Sequence, residues 1–303
     1  MNAQLAVEDV IAGPDACDGS RRSDNALGES AYRFGPGLVG VLHRPCHEDG
    51  HVQDVAVILL NAGLVRRIGP YRQYVLLARL LARAGFTVLR YDQSGLGDSA
   101  SASREAGDRR LREVRAAMTL VGAETGHMRF VLGGLCSGAD DAFHIAVQDS
   151  RVVGTLLLDG PGYKTAGFWW RHLLPRVFSP RRWRALLGHV GKLRTHEPGL
   201  LDYRDFPPQA DARLQLQSLV ERGVRMLFLY TSGSYYYVNH RSQLAAALGD
   251  AARAPAVTVE FWRDCDHTFY LQQDRTRMFA YTLGWMQDAF GTRKGRPGPT
   301  PIP

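Results

Sequence analysis

Two stretches of this chain carry residue types and spacings suited to chemistry. In the first, Phe130-Val131-Leu132 runs into Gly133-Gly134-Leu135-Cys136-Ser137-Gly138 and then into a helical pattern. A nucleophile held on a strand-to-helix turn needs small residues two positions before and two positions after it, because the turn is strained and the flanking backbones crowd. Gly134 and Gly138 fill those positions and centre the turn on Cys136. Centring it on Ser137 would put Leu135 and Ala139 at the crowded positions, where a leucine clashes with the neighbouring strand. A free cysteine most often packs as a small apolar side chain. A glycine-bracketed cysteine at a helix N-terminus is a different setting, since the helix dipole favours its thiolate, which attacks carbonyl carbon.

The second stretch, Arg263-Asp264-Cys265-Asp266-His267-Thr268-Phe269, follows the last apolar strand. Of the ten histidines, His267 is the one that falls between the final strand and the final helix, where an imidazole faces an elbow nucleophile. The third member is less plain. From Thr231 to Gly249, the loop that usually supplies the acid, there is no Asp or Glu. Asp159, which ends the strand after the elbow helix, is the first candidate, and it reads equally well as a strand-end cap with Gly160-Pro161-Gly162. Asn239 could orient the imidazole instead, while Asp264 and Asp266 stand too close to His267 in sequence to reach behind its ring. An oxyanion needs two donors near the nucleophile. The Ser137 amide is one, and the turn Asn61-Ala62-Gly63-Leu64 offers Gly63 and Leu64 for the other.

Elements must hold these groups. Tyr32 to Phe34 and Leu38 to His43 read as a hairpin about Gly35-Pro36-Gly37. Strands are expected at 55–60, 86–91, 130–132, 152–158, 224–230 and 257–262, with helices at 74–84, 110–122, 138–147, 239–248 and 275–290. Near-continuous apolar strands alternating with helices predict an α/β fold, a mostly parallel sheet covered by helices on both faces. The alternation stops between residues 160 and 223, which read as a helical cap inserted into a core of residues 29–159 and 224–291. Disorder is expected for residues 1–28 and for the Pro/Gly-rich basic tail 292–303.

Composition narrows the function classes. The net charge of +7 over 303 residues comes without zinc-finger spacing, an RNP signature or a polybasic block, so no nucleic-acid partner is expected. The four cysteines, at 17, 46, 136 and 265, form no CxxC pair, which predicts neither a zinc site nor a disulfide framework, and no cofactor is called for. No apolar run approaches the ~20 residues of a membrane span. The first residues lack a signal-peptide pattern, giving a cytoplasmic expectation.

With the elbow, the Asn61-Ala62-Gly63 turn, Asp92-x-x-Gly95-x-Gly97-Asp98-Ser99 and the Asp266-His267 loop in this order, the chain resembles an α/β-hydrolase from about residue 32 to about 290. Gly69-Pro70-Tyr71-Arg72 through Gly85-Phe86, and Gly134-Leu135-Cys136-Ser137-Gly138-Ala139-Asp140, are similar to the exosortase-associated branch found in bacteria. A cysteine at the elbow is similar to dienelactone hydrolases and polyhydroxyalkanoate synthases. The resemblance implies a cysteine acyl-enzyme formed from a small ester or thioester, including one linked to a carrier or coenzyme A. Hydrolysis is the first expectation, transfer to a non-water acceptor the second, and a non-catalytic ligand-binding member of the fold the third. In the cap, Trp169, Trp170 and Trp183 with Phe168, Phe178, Arg171, Arg176, Arg181, Arg182 and Arg184 form an aromatic, cationic face that suits a lid or, as a lesser option, an anionic membrane surface. Trp169, Trp170, Tyr236, Asn239 and Arg66 are the candidate substrate contacts.

Overall fold

The computed structural model describes residues 28–45, 52–101, 108–177, 204 and 206–291. Cys17, Cys46, Phe178, Arg181, Arg182, Trp183, Arg184 and the two segments for which disorder is expected, apart from Gly28, lie outside the described residues, as do the side chains of Leu174 to Val177. Eight strands form one sheet: β1 (Glu29–Phe34), β2 (Leu38–His43), β3 (Ala56–Leu60), β4 (Thr87–Asp92), β5 (Phe130–Leu135), β6 (Val152–Leu158), β7 (Arg225–Thr231) and β8 (Val257–Trp262). Their order is β1-β2-β4-β3-β5-β6-β7-β8. The β1–β2 hairpin and the β2–β4 pair are antiparallel, and every other pairing is parallel.

Among the described residues there are seven α-helices: α1 (Gln73–Arg83), α2 (Arg109–Thr125), α3 (Ser137–Gln148), α4 (Ala166–Val177), α5 (Gln209–Glu221), α6 (Gln243–Leu248) and α7 (Gln272–Phe290). Side chains alternate across a strand, so a strand buried on both faces feeds two cores. In β3, Ala56, Ile58 and Leu60 join the core under α2, α3, α5 and α6, while Val57 and Leu59 join the core under α1 and α7. The α2 boundaries follow from local chemistry: the Asp108 carboxylate accepts the Arg110 and Leu111 amides, and Gly126 closes the helix at φ 78°.

Chain direction fixes where a site belongs. From β3 the chain steps to β4 on one side, then crosses to β5 on the other, and ligand crevices open beyond the carboxyl ends of strands at such a reversal. Both oxyanion candidates and Cys136 leave the sheet there.

Two elements differ from the sequence expectation. The helix expected over 239–248 is only α6, because the Asn239 amide donates to the Gln243 side chain and Tyr237 and Val238 turn back onto Ser234. Helix α5 falls inside the 160–223 segment, yet it buries Ala212, Leu216 and Leu219 in the core it shares with α3, where it forms the crossover from β6 to β7. Among the described residues no helix is long and apolar enough to cross a membrane.

Candidate active site

Cys136 stands between β5 and α3 at φ 59° and ψ −122°, a backbone region rarely adopted by residues other than glycine. Its amide donates to Leu158 O at 2.9 Å, and its carbonyl accepts the Ala139 amide at 2.9 Å, so both neighbours hold the strained residue in place. The bracketing glycines are required by space. A Cβ on Gly138 would stand 2.5 Å from Asn61 O, and one on Gly134 would strike the backbone of Gly138.

Beside Cys136, β6, β7 and β8 lie side by side and bring Asp159, Thr231 and His267 together. Asp159 ends β6 with its side chain fully buried and its backbone at φ 48°. Its carboxylate accepts the Thr231 amide and the Thr231 hydroxyl, each at 2.6 Å, and faces His267 Nδ1, also at 2.6 Å. Nδ1 must carry the proton in that bond, which leaves Nε2 for the thiol. The Cys136 side chain lies close enough to His267 for each to shift the titration of the other. The His267 loop is folded by Asp266, whose carboxylate accepts the Thr268 amide and hydroxyl and the Tyr270 amide. Gly233 lets the turn after β7 pack against the imidazole, since a Cβ there would overlap the His267 side chain. Asp264 pairs with Arg277 on the surface, away from the ring.

The electrostatics are those of an ion pair. Burial works against the imidazolium, but Asp159 and Cys136 outweigh it and push the His267 pKa up to about 10. Burial also works against the thiolate, yet His267 and the Arg204 charge hold the Cys136 thiol below its ordinary value. Thiolate and imidazolium are therefore the favoured pair between these two titrations.

The loop after β3 is braced on Asp92. Asn61 Oδ1 accepts the Gln93 amide at 2.7 Å, its Nδ2 donates to Val65 O at 2.9 Å, and Arg67 bonds Asp92 through both its amide and its guanidinium. Gly63, at φ 55°, donates its amide to the Ser137 hydroxyl at 2.7 Å. That donor thus already meets Ser137, and a substrate oxygen reaching it displaces a hydroxyl. Leu64 is 87% exposed and Arg66 is exposed beside it, whereas Arg67 has the bonding role.

The candidate substrate contacts divide. Tyr236 is partly buried, lies within the electrostatic surroundings of Cys136 and packs edge-on against Tyr237 at 4.8 Å. Trp169 and Trp170 are exposed on α4. The Asn239 side-chain NH2 donates to Phe168 O at 3.2 Å and its Oδ1 accepts from Arg171 Nε at 2.8 Å, which fastens α4 to the loop after β7, and the partner of the imidazole Nδ1 is Asp159 instead. One charged residue at the site escaped the sequence reading. Arg204 places its guanidinium, 2% exposed, against the carboxylate of Asp140 on the first turn of α3. No motif surrounds Arg204, and its partner is 64 residues away, so the sequence carries no signal of it. Among the described residues no cluster of His, Cys, Asp and Glu is arranged to hold a metal ion.

No protein-family model matches the sequence, and no curated protein does either. Solved structures do match. An esterase of Pyrococcus furiosus superposes with a TM-score of 0.58 at 13% identity, covering 92% of this chain and 97% of that one. The acylaminoacyl peptidase of Pyrococcus horikoshii gives 0.54 at 12% identity, covering 89% of this chain and 43% of the other. The meta-cleavage product hydrolase of Pseudomonas fluorescens gives 0.52 at 12% identity, covering 86% and 98%. The strand order, the helices on both faces and these likenesses together establish that the chain has the α/β-hydrolase fold.

Proposed function

We propose that the chain is an acyl hydrolase that cleaves esters or thioesters through an acyl-enzyme on Cys136. One observation carries this reading: His267 bonds Asp159 through Nδ1 and is coupled to Cys136, with the cysteine on a strained turn at the reversal point of the sheet. The Cys136 thiolate attacks the carbonyl carbon, and the amides of Ser137 and of the Gly63–Leu64 turn stabilise the oxyanion that forms. As the tetrahedral species collapses, the His267 imidazolium gives its proton to the departing alkoxide or thiolate. The neutral imidazole then takes a proton from water. The hydroxide attacks the thioester, the Cys136 thiolate leaves, and the imidazolium is restored. The structural neighbours named above, an esterase, an acylaminoacyl peptidase and a meta-cleavage product hydrolase, support a hydrolase in general.

The test is mass spectrometry of the intact protein after incubation with p-nitrophenyl acetate and with an acyl thioester. An acyl mass increment that maps to Cys136, and its loss in Cys136→Ala, is the expected result. Free acid among the products means hydrolysis, and a conjugate with an added alcohol or amine assigns transfer instead. Binding with no covalent adduct and no turnover refutes the enzymatic reading.

A further inference from the structure

Arg204 bonds both the first turn of α3 and the residue that follows β6. Its Nε and Nη2 donate to Oδ2 and Oδ1 of Asp140 at 2.5 and 2.7 Å, a two-pronged pair that fixes the plane of the guanidinium. Nη2 also donates to the carbonyl of Asp159 at 2.7 Å. The Tyr237 hydroxyl donates to the same carbonyl at 3.0 Å, and the Asp159 amide donates to Leu229 O at 2.8 Å. The left-handed backbone of Asp159 is thus gripped at both its amide and its carbonyl. The guanidinium also lies over the rings of Phe206, at 4.8 Å, and Tyr237, at 5.9 Å, which shield it from water.

We infer that Arg204 is a positioning residue for the reaction proposed above: it clamps the first turn of α3 to the backbone of Asp159 and holds its charge on Asp140, one helical turn beyond Cys136. This inference rests on the reading of Cys136 as nucleophile and adds to it a buried residue. Asp140 sits four residues after Cys136, so the same pair that orients the guanidinium also ties it to the elbow helix. The titratable and charged groups around the thiol are His267, Arg204, Tyr236 and Tyr74, with Asp140 and Asp159 behind them. Among them, Arg204 and the imidazolium supply the positive charge that draws the thiol toward its thiolate.

The experiment follows iodoacetamide alkylation of the Cys136 peptide by mass spectrometry across pH in the full chain, alongside kcat and KM for p-nitrophenyl acetate. Arg204→Gln is expected to raise the alkylation midpoint by about one pH unit, the low end of what a neighbouring charge does. The same variant should lower kcat on the order of tenfold, with KM nearly unchanged, because Asp159 loses a grip on its carbonyl. Arg204→Lys should restore the midpoint but not kcat, since an ammonium cannot fork onto Asp140 and reach the Asp159 carbonyl together. Asp140→Asn leaves the guanidinium uncompensated and should lower the midpoint. A folded Arg204→Gln protein with native midpoint and kcat overturns the inference, and so does rescue of kcat by lysine. If both Arg204 variants fail to fold, an unmoved midpoint in Asp140→Asn overturns it. Full turnover by Cys136→Ala would refute the nucleophile reading separately, because the alkylation midpoints are measured without substrate.

Discussion

Asp159→Asn removes a charge from the interior of the site without changing the shape of the side chain. In the native protein Oδ1 accepts the Thr231 amide, and Oδ2 accepts both the Thr231 hydroxyl and His267 Nδ1. The backbone donor cannot turn away, so asparagine keeps its oxygen on the Thr231 amide and points its NH2 at the imidazole. His267 must then accept at Nδ1 and carry its proton on Nε2, the tautomer that cannot take a proton from the thiol. The rise of the His267 pKa from 6.5 to about 10 corresponds to about 5 kcal/mol in favour of the imidazolium. Asp159 and Cys136 both contribute to that rise. Losing the Asp159 contribution is worth on the order of 2 kcal/mol, so kcat should fall more than about tenfold. Sign follows from the same value. A raised histidine pKa keeps the imidazolium charged up to about pH 10, so the variant's alkaline limb should fall about two pH units lower. The stabilising contribution of this proton is fully present below pH 6.5 and lost as pH rises toward about 10, a window in which the variant's stability should change less. Hydrolysis of p-nitrophenyl acetate is followed from pH 6 to 11, with thermal unfolding as the control for the fold. A variant whose kcat stays within about threefold of native, with an unshifted alkaline limb, would show that Asp159 does no more than tie β6 to Thr231.

Three further outcomes are expected. Gly138→Ala drives a methyl to 2.5 Å from Asn61 O, so it should displace the oxyanion loop and abolish turnover while circular dichroism still reports a folded protein. Arg67→Ala removes the guanidinium from Asp92 but keeps the backbone amide bond, so kcat should fall about threefold to tenfold through a loosened loop after β3. Alkylation of Cys136 should be unaffected in that variant, since thiolate formation does not depend on the loop. His43, on β2, is buried against Arg90, Glu29 and Arg79, and burial followed by the Arg90 charge pushes its pKa down to about 3. The stability from this neutral histidine is fully present above pH 6.5 and lost as pH falls toward about 3, so His43→Gln should flatten acid unfolding by a few kcal/mol.

What the sequence disclosed depended on how local the cause was. Gly134 and Gly138 were readable because the crowding they relieve lies within one turn, and the apolar strands were readable because burial on both faces leaves continuous runs. Asp159 could be named only as one option. It faces His267 across 108 residues, through the adjacency of β6, β7 and β8, and adjacency of that kind leaves no trace in spacing. Asn239 suggested a polar ligand because a loop amide near a site usually is one; its amide meets Phe168 and Arg171, contacts made only once α4 has docked. The Arg204–Asp140 pair was hidden for the same reason, joining an unremarked arginine to a helix whose motif drew attention to its other residues.

If Cys136 is the nucleophile proposed above, the same thiolate can attack peroxide oxygen. Cys136 is partly exposed and its thiol is held below the ordinary value, while Cys265 is buried in the core and its thiol is pushed up to about 12. Of these two, mild peroxide should convert Cys136 first, to a sulfenic acid that a small thiol reverses. Activity would then depend on the redox state of the surroundings, and a preparation stored without reductant would lose turnover while its fold stayed intact.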